Sequence, residues 1–133
     1  MEKQIQQKYM ELQMLGQQMQ HIQKQLNMIE QQTLELDSTK ESIETISKTK
    51  PGTELLVPIS QGIFLKTQLK DTTELTVNVG ADVAVKKTIQ ESKKLVTDQL
   101  VEITKFQREL SDNLEKLATK AQELEKELSK LIE

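Results

Sequence analysis

The residue types that most often perform acid–base or metal chemistry are scarce in this sequence. His21 is its one histidine, and its neighbours on a helix would be Gln17, Gln18, Lys24 and Gln25. None of these side chains is a carboxylate or thiolate that could share a metal with the imidazole or orient it as a base. We therefore expect His21 to be a solvated helix residue, and we predict neither a catalytic nor a metal site.

The sequence also lacks the short patterns that bind nucleotides and cofactors. Its four glycines, Gly16, Gly52, Gly62 and Gly80, are too far apart for the glycine-rich loops that cradle phosphates. It contains no cysteine, so neither a disulfide nor a thiolate site is available. Acidic pairs are frequent, but such pairs on long exposed helices are ordinarily solvated. The sequence predicts a protein that is not an enzyme and uses no cofactor.

Charge and hydropathy disfavour two classes of partner. The 133 residues include 18 basic and 21 acidic side chains, giving a net charge of -3 with no basic stripe for a phosphate backbone. No stretch approaches the roughly 20 apolar residues of a membrane span, and the first residues contain no apolar signal-peptide core. We expect no nucleic-acid and no membrane partner, and a soluble cytoplasmic protein.

Apolar residues in the first part of the chain recur at alternating intervals of three and four. This spacing predicts the a/d seam of a coiled coil, and because no proline precedes Pro51 we expect one helix over residues 1–48. Lys8, Thr33 and Lys40 are its weak positions. The predicted seam is Ile5, Lys8, Leu12, Leu15, Met19, Ile22, Leu26, Ile29, Thr33, Leu36, Lys40 and Ile43.

A second helix with the same spacing is predicted over residues 88–133. Thr88 and Glu91 form a capping-box pattern at its start. Two seams of similar length on either side of a turn region should pair in an antiparallel manner, with Leu12 near Leu124. The second seam is Ile89, Val96, Leu100, Ile103, Gln107, Leu110, Leu114, Leu117, Ala121, Leu124, Leu128 and Leu131.

Residues 53–86 are the one segment with the composition and alternation of β-strands. Strands are predicted at 55–60, 63–69, 74–79 and 83–85, separated by turn residues, so the segment should form two hairpins. Because isolated hairpins bury too little surface to be stable, we expect strands of other subunits to cover them. The predicted oligomerisation residues are Val57, Ile59, Ile63, Leu65, Leu69, Leu75, Val77 and Val79. The fold class is α+β, in a single subunit of residues 1–133.

The order of helix, two hairpins and helix resembles the prefoldin family over the whole chain. Two hairpins rather than one make it similar to the α-type subunit, of the archaeal kind, more than to the β type. The resemblance rests on the strings Leu56-Val57-Pro58-Ile59, Gly62-Ile63-Phe64, Leu69-Lys70-Asp71 and Val77-Asn78-Val79-Gly80.

The resemblance implies a cytosolic holding chaperone, or holdase, that works without ATP. Two α and four β-type subunits would form a hetero-hexamer by joining their hairpins into an intersubunit double β-barrel, with six coiled coils around a cavity. Unfolded proteins would be its clients, and a group II chaperonin would receive them. A passive coiled-coil scaffold or a filament-forming prefoldin-like structural protein remains the alternative.

Client contact is expected at the distal tips, where the two predicted helices meet. Tyr9, Met10 and Met14 lie off the predicted seam, whereas Ile5, Leu128 and Leu131 can equally be seam residues. The expected client-binding residues are Ile5, Tyr9, Met10, Met14, Leu128, Leu131 and Ile132.

Overall fold

The computed structural model describes residues 1–132, which form two long helices and two antiparallel hairpins. This arrangement confirms the predicted α+β class. The chain divides into two compact units. Unit 1 contains Met1–Leu34 and the described residues from Val101 onward, and unit 2 is Glu35–Leu100. The elements are α1 (Glu2–Lys48), β1 (Glu54–Ser60), β2 (Ile63–Gln68), β3 (Glu74–Asn78), β4 (Ala84–Thr88) and α2 (Ile89–Ile132).

Unit 1 is an antiparallel pair of helix segments with the predicted seam between them. Every predicted seam residue of this unit is buried or half-buried. Ile29, Leu110 and Leu128 are the most enclosed, at 5–8% exposed. Burial of one stripe from each segment is what stabilises helices that are marginal as isolated peptides.

Two polar seam residues of unit 1 have polar partners. The Thr33 hydroxyl donates a hydrogen bond to the Ile29 carbonyl oxygen at 2.9 Å. Lys8 forms an ion pair with Glu127 of α2. The predicted register would place Lys8 opposite residue 128, so the observed pairing is within one residue of it. Thr33 and Lys8 pack less apolar surface in the seam than Leu or Ile would, but the Thr33 hydroxyl and the Lys8 ammonium each have a polar partner.

The helical part of unit 2 is centred on Ile43 and Val96, which are 8% and 6% exposed. Lys40, one of the weak seam positions, is exposed. Ser92 occupies a seam position that apolar spacing did not reveal and is the most buried polar residue, at 2% exposed. Its hydroxyl donates to the Thr88 carbonyl oxygen at 2.9 Å, which satisfies the buried donor.

The start of α2 shows half of the predicted capping box. The Glu91 amide donates to the Thr88 Oγ1 at 3.1 Å, as expected. The Glu91 carboxylate, however, accepts a hydrogen bond from the Thr88 hydroxyl at 3.0 Å and does not reach back to the Thr88 amide. Thr88 is also the last residue of β4, paired with Glu74, so its backbone belongs to the hairpin.

The first hairpin joins β1 and β2 with Val57 opposite Leu65. A register shift between Pro58 and Ser60 leads into its turn, where Gly62 adopts a φ of 83° that suits a residue without a Cβ. The predicted boundaries of both strands hold to within one residue.

The second hairpin joins β3 and β4 with Val77 opposite Val85. The predicted last strand, 83–85, was wrong at its carboxyl end, because β4 runs over Ala84–Thr88. The predicted strand at 83–85 and the predicted helix from residue 88 leave Lys86 and Lys87 in neither element. Their cross-strand partners, Thr76 and Leu75, hold them in the ladder despite the low strand propensity of lysine.

Candidate functional site

Four large apolar side chains of the first hairpin are exposed. We call Val57, Ile59, Ile63 and Leu65 the hairpin surface; their side chains are 43–66% exposed. All four belong to the oligomerisation set predicted from sequence. Clustered exposed apolar side chains are typical of interaction sites.

The other side of the same hairpin is also apolar and exposed. Leu56 and Phe64 are each more than half exposed, and they alternate with Val57 and Leu65 along their strands. Within residues 1–132, each sheet has only two strands, so every strand has an edge that can accept another strand. Sequence reasoning did not assign Leu56 and Phe64 a role, because alternation was used to choose one covered face.

The second hairpin is partly covered by its own unit. Leu75 lines a groove of about 210 Å³ with residues of α1 that include Ile43 and Ile46. Val77 and Leu69 are half-buried, whereas Val79, next to the turn, remains exposed. The predicted oligomerisation residues therefore form two groups. The exposed group is the hairpin surface together with Val79 at the turn of the second hairpin. The half-buried group is Leu69, Leu75 and Val77.

The predicted client-binding residues of unit 1 also separate by exposure. Tyr9, Met10, Met14 and Ile132 are 52–64% exposed. Ile5 and Leu131 are half-buried, and Leu128 is buried in the seam. The first group can contact another protein without disturbing the helix pair, whereas the second group can do so only where the pair opens.

An apolar groove begins beside Met14. It has a volume of about 310 Å³ and lies between the two helices of unit 1. Leu15 and Leu124 contribute apolar seam atoms, and Met14 and Lys120 lie on opposite sides. The lining residues are Glu11, Met14, Leu15, Gln18, Lys120 and Leu124.

Two carboxylates of unit 2 have lowered pKa values, and both are explained by structural contacts. The Lys93 ammonium, 2.5 Å from a Glu44 carboxylate oxygen, lowers the pKa of Glu44 by hydrogen bonding and by charge, with a smaller effect from Lys48. Asp71 accepts hydrogen bonds from the Thr73 amide at 2.8 Å and the Thr73 hydroxyl at 2.7 Å, which lower its pKa. The Glu44–Lys93 contact joins α1 to α2 within unit 2, and the Asp71–Thr73 contacts stabilise the turn before β3.

Metal-ligating clusters are missing from the part of the chain that the structure describes. Residues 1–132 contain no group of three His, Cys, Asp or Glu side chains placed to hold a metal ion. His21 is exposed on α1. Neither helix, over the same residues, is apolar enough to cross a membrane. The candidate functional sites are the exposed apolar surfaces described above.

Four exposed apolar side chains on the helices of unit 1 were outside every predicted site. Met28, Leu34, Val101 and Phe106 are 47–64% exposed. None of the four belongs to the predicted seam. The signal that could have revealed them is their heptad position, since each is apolar where the seam pattern predicts a solvated residue.

Comparison with known proteins agrees with this architecture. Residues 15–133 match the family model described as Prefoldin subunit. A prefoldin subunit alpha of Methanoculleus marisnigri is 31% identical over 126 residues, covering 95% of this chain and 84% of the relative. One from Methanococcus aeolicus is 29% identical over 133 residues, covering 100% and 90%. One from Archaeoglobus fulgidus is 25% identical over 128 residues, covering 96% and 93%.

A solved structure shares the fold. The cryo-EM structure of a filamentous PFD from Methanocaldococcus jannaschii superposes with a TM-score of 0.77, covering 86% of this chain and 94% of that chain. Its sequence identity is 15%, so the likeness is one of fold.

The family identity confirms the resemblance drawn from the β segment and the absence of an enzymatic role. Prefoldin subunits are chaperones that form oligomers with other prefoldin subunits. The matched residues include both hairpins and all of α2, and the relatives named prefoldin subunit alpha align over most of the chain. The chain belongs to the prefoldin family.

Proposed function

We propose that this chain is the α-type subunit of a cytoplasmic holdase that binds unfolded proteins without ATP and delivers them to a group II chaperonin. Two copies join four β-type subunits in a hetero-hexamer. The hairpins form an intersubunit β-barrel, and the coiled coils surround a cavity that holds the client.

The observation that carries this proposal is the contrast between covered and uncovered apolar residues. The seam of unit 1 is enclosed by its own two helices, whereas the hairpin surface is open to solvent. A two-stranded hairpin with unpaired edges is marginal alone, so the addition of strands from other subunits would cover its apolar face and pair its edges. The oligomerisation residues of this proposal are Val57, Ile59, Ile63, Leu65, Leu69, Leu75, Val77 and Val79.

Client binding is proposed at the tip of the helix pair. Tyr9, Met10, Met14 and Ile132 supply exposed apolar area, and methionine side chains adapt to irregular partners. Ile5, Leu128 and Leu131 would add to this surface where the end of the pair frays. Each contact is weak, so affinity comes from several tips acting on one client at high effective concentration.

Aggregation of an unrelated protein tests the proposal. The chain, assembled with a β-type prefoldin subunit, should suppress light scattering from chemically unfolded, diluted citrate synthase without ATP. Adding a group II chaperonin and ATP should then restore enzymatic activity. A complex that assembles but leaves aggregation unchanged would instead favour a passive scaffold.

A filament-forming structural role is the second candidate. Its support is the shared fold with a filamentous PFD. Filaments need a head-to-tail contact that does not close on itself, and a hairpin with apolar side chains on both sides could supply one. Light scattering separates the two, because a hexamer has a fixed mass whereas a filament grows with protein concentration.

A further inference from the structure

The outer surface of α1 in unit 1 is unusual in having few charges. Between Met14 and Met28, Lys24 is the one residue with a formal charge. The same stretch contains five glutamines, Gln17, Gln18, Gln20, Gln23 and Gln25. A solvated helix face normally carries many charged residues, so this composition calls for an explanation beyond solubility.

Heptad positions place two exposed apolar residues, Met28 of α1 and Phe106 of α2, on one side of the helix pair. Met14 and Lys120 line opposite sides of one groove in unit 1. Met28 is two heptads after Met14 on α1, and Phe106 is two heptads before Lys120 on α2. Because the two helices are antiparallel, a move of two heptads toward the carboxyl end of α1 matches a move of two heptads toward the amino end of α2. Residues reached in this way lie on the same side of the pair as the residues from which the moves began. Met28 and Phe106 therefore flank the seam on the same side of the pair as the groove.

From this placement we propose a second client-binding site, the shaft surface, which binds extended apolar segments of unfolded proteins along unit 1. The inference rests on the proposed chaperone function and extends client contact beyond the tip. We define the shaft surface as Met14, Gln18, His21, Gln25, Met28 and Phe106. Met14 belongs to both sites, so the shaft surface is continuous with the tip.

The spacing of its apolar residues fits an extended chain better than a folded partner. Met14 and Met28 are 14 residues apart on a helix, or about 21 Å. About six residues of extended polypeptide cover this distance. The glutamine amides between them can both donate to and accept from a peptide backbone. A second folded copy would need roughly 800 Å² of contiguous interface on each partner, which apolar residues so widely spaced do not provide.

The test compares two double variants in the assembled chaperone. Met28→Gln with Phe106→Gln removes apolar atoms from the shaft surface and leaves the tip and the seam intact. Leu34 and Val101 each directly follow a seam residue, Thr33 or Leu100, which places them on the other side of the pair. Leu34→Gln with Val101→Gln therefore removes the same number of exposed apolar side chains from that side. The probe is fluorescein-labelled, reduced and carboxymethylated α-lactalbumin, and its Kd is measured by fluorescence anisotropy.

The shaft variant should bind about tenfold more weakly, while the control variant should match the wild type. The Kd of the shaft variant divided by the Kd of the wild type should stay constant from 50 to 500 mM NaCl, because the lost contacts are uncharged. A benzophenone photocrosslinker at position 28 should capture the probe, and one at position 34 should not.

Other results would overturn the shaft surface. The proposal is wrong if the shaft variant binds the probe as tightly as the wild type, or if both double variants lose the same affinity. It is also wrong if the ratio of the two Kd values, shaft variant to wild type, approaches one at high salt. A changed complex mass in the shaft variant would instead assign Met28 and Phe106 to a subunit contact. If the wild type fails to bind the probe, the proposed function itself is wrong. If tip deletion weakens binding and the shaft variant does not, only the shaft surface is wrong.

Discussion

At the scale of single residues, the turn of the second hairpin contains avoidable backbone strain. Ala81 and Asp82 have φ values of 51° and 59°, and the Val83 amide donates to the Gly80 carbonyl oxygen at 3.0 Å. Two positive φ values and this hydrogen bond are the features of a type I′ turn, whose central residues are usually Asn-Gly. The left-handed region costs alanine about 1 kcal/mol or more.

Replacing this pair with Ala81→Asn and Asp82→Gly should stabilise the protein by about 1 kcal/mol, measured by urea unfolding. Ala84→Gly serves as a control, because Ala84 lies in β4 and glycine there should destabilise by roughly 0.5–1 kcal/mol. An unchanged or lower unfolding free energy in the turn variant would mean that the turn relaxes elsewhere.

A pH dependence follows from the contact between Glu44 and Lys93. The pKa of Glu44 is lowered from its ordinary value of 4.5 in the folded state. A carboxylate with a depressed folded-state pKa contributes stability above its unfolded-state pKa, and loses it as the pH falls through the folded-state pKa. Glu44→Gln should therefore be less stable than the wild type at pH 7, with the difference shrinking below about pH 4.5.

Thermal unfolding between pH 7 and pH 3 measures this difference. Glu41→Gln is the control, because it removes an exposed carboxylate nearby on the same helix. If the unfolding temperatures of the wild type and Glu44→Gln differ by the same amount at every pH, the ion pair makes no pH-dependent contribution to stability.

At the scale of elements, the hairpins offer a direct test of assembly. Val57 is exposed on the hairpin surface, whereas Val77 is half-buried within unit 2. Val77→Asp would also disturb the packing of its own hairpin, so it is the less specific change. Val57→Asp should leave the far-UV circular dichroism unchanged and prevent assembly with a β-type subunit, because the interface would bury an unpaired charge.

Light scattering of the mixed subunits gives the mass, and Thr76→Asp, an exposed change in β3, is the control. If Val57→Asp forms a complex of the same mass as the wild type, the hairpin surface is not the assembly surface.

The end of the helix pair should be less stable than its middle. The ion pair of Lys8 with Glu127 replaces an apolar seam contact there, and helix ends lack part of their hydrogen bonding. Amide hydrogen exchange should be faster over residues 2–8 than over residues 12–30. Equal protection extending to Ile5, or fast exchange throughout residues 12–30, would contradict this gradient.

The elements were largely predictable because their patterns are local. The three- and four-residue spacing identified both helices, and alternation with turn residues identified the four strands. The extent of β4 was not predictable from local pattern, since Lys86 and Lys87 are strand residues only through their partners on β3. The burial of Ser92 was missed for a similar reason, because a small polar residue gives no apolar signal in a seam.

The candidate sites were predictable only in part. Tyr9, Met10 and Met14 were expected off the seam and are exposed, and the same reasoning could have found Phe106. The exposure of Leu56 and Phe64 depends on which other elements cover the hairpin. A sequence pattern shows that a strand has two faces, but it does not show which of them its own chain leaves open.

At the scale of the whole molecule, assembly and client binding should be separable. Deletion of residues 1–10 together with 125–133 removes most tip residues and leaves every strand in place. We expect the deleted chain to form the same complex with a β-type subunit by light scattering, but to lose suppression of citrate synthase aggregation. Tyr9→Gln with Met10→Gln is a milder variant that keeps the seam, and it should show a partial loss.

Full suppression by the deleted complex would move client binding away from the tip. A deleted chain that no longer assembles would indicate that the helix ends contribute to subunit association.

Lys8 and Glu127 are 119 residues apart in the sequence. This distance affects the order in which the parts of the chain can fold during synthesis. At 5–20 residues per second, a ribosome needs on the order of ten seconds to progress from one to the other. Unit 2, in contrast, is one continuous segment, Glu35–Leu100, and hairpins form in about 1–10 μs. We expect the hairpins of a nascent subunit to be folded and available to other subunits while the amino-terminal part of α1 still waits for its partner helix.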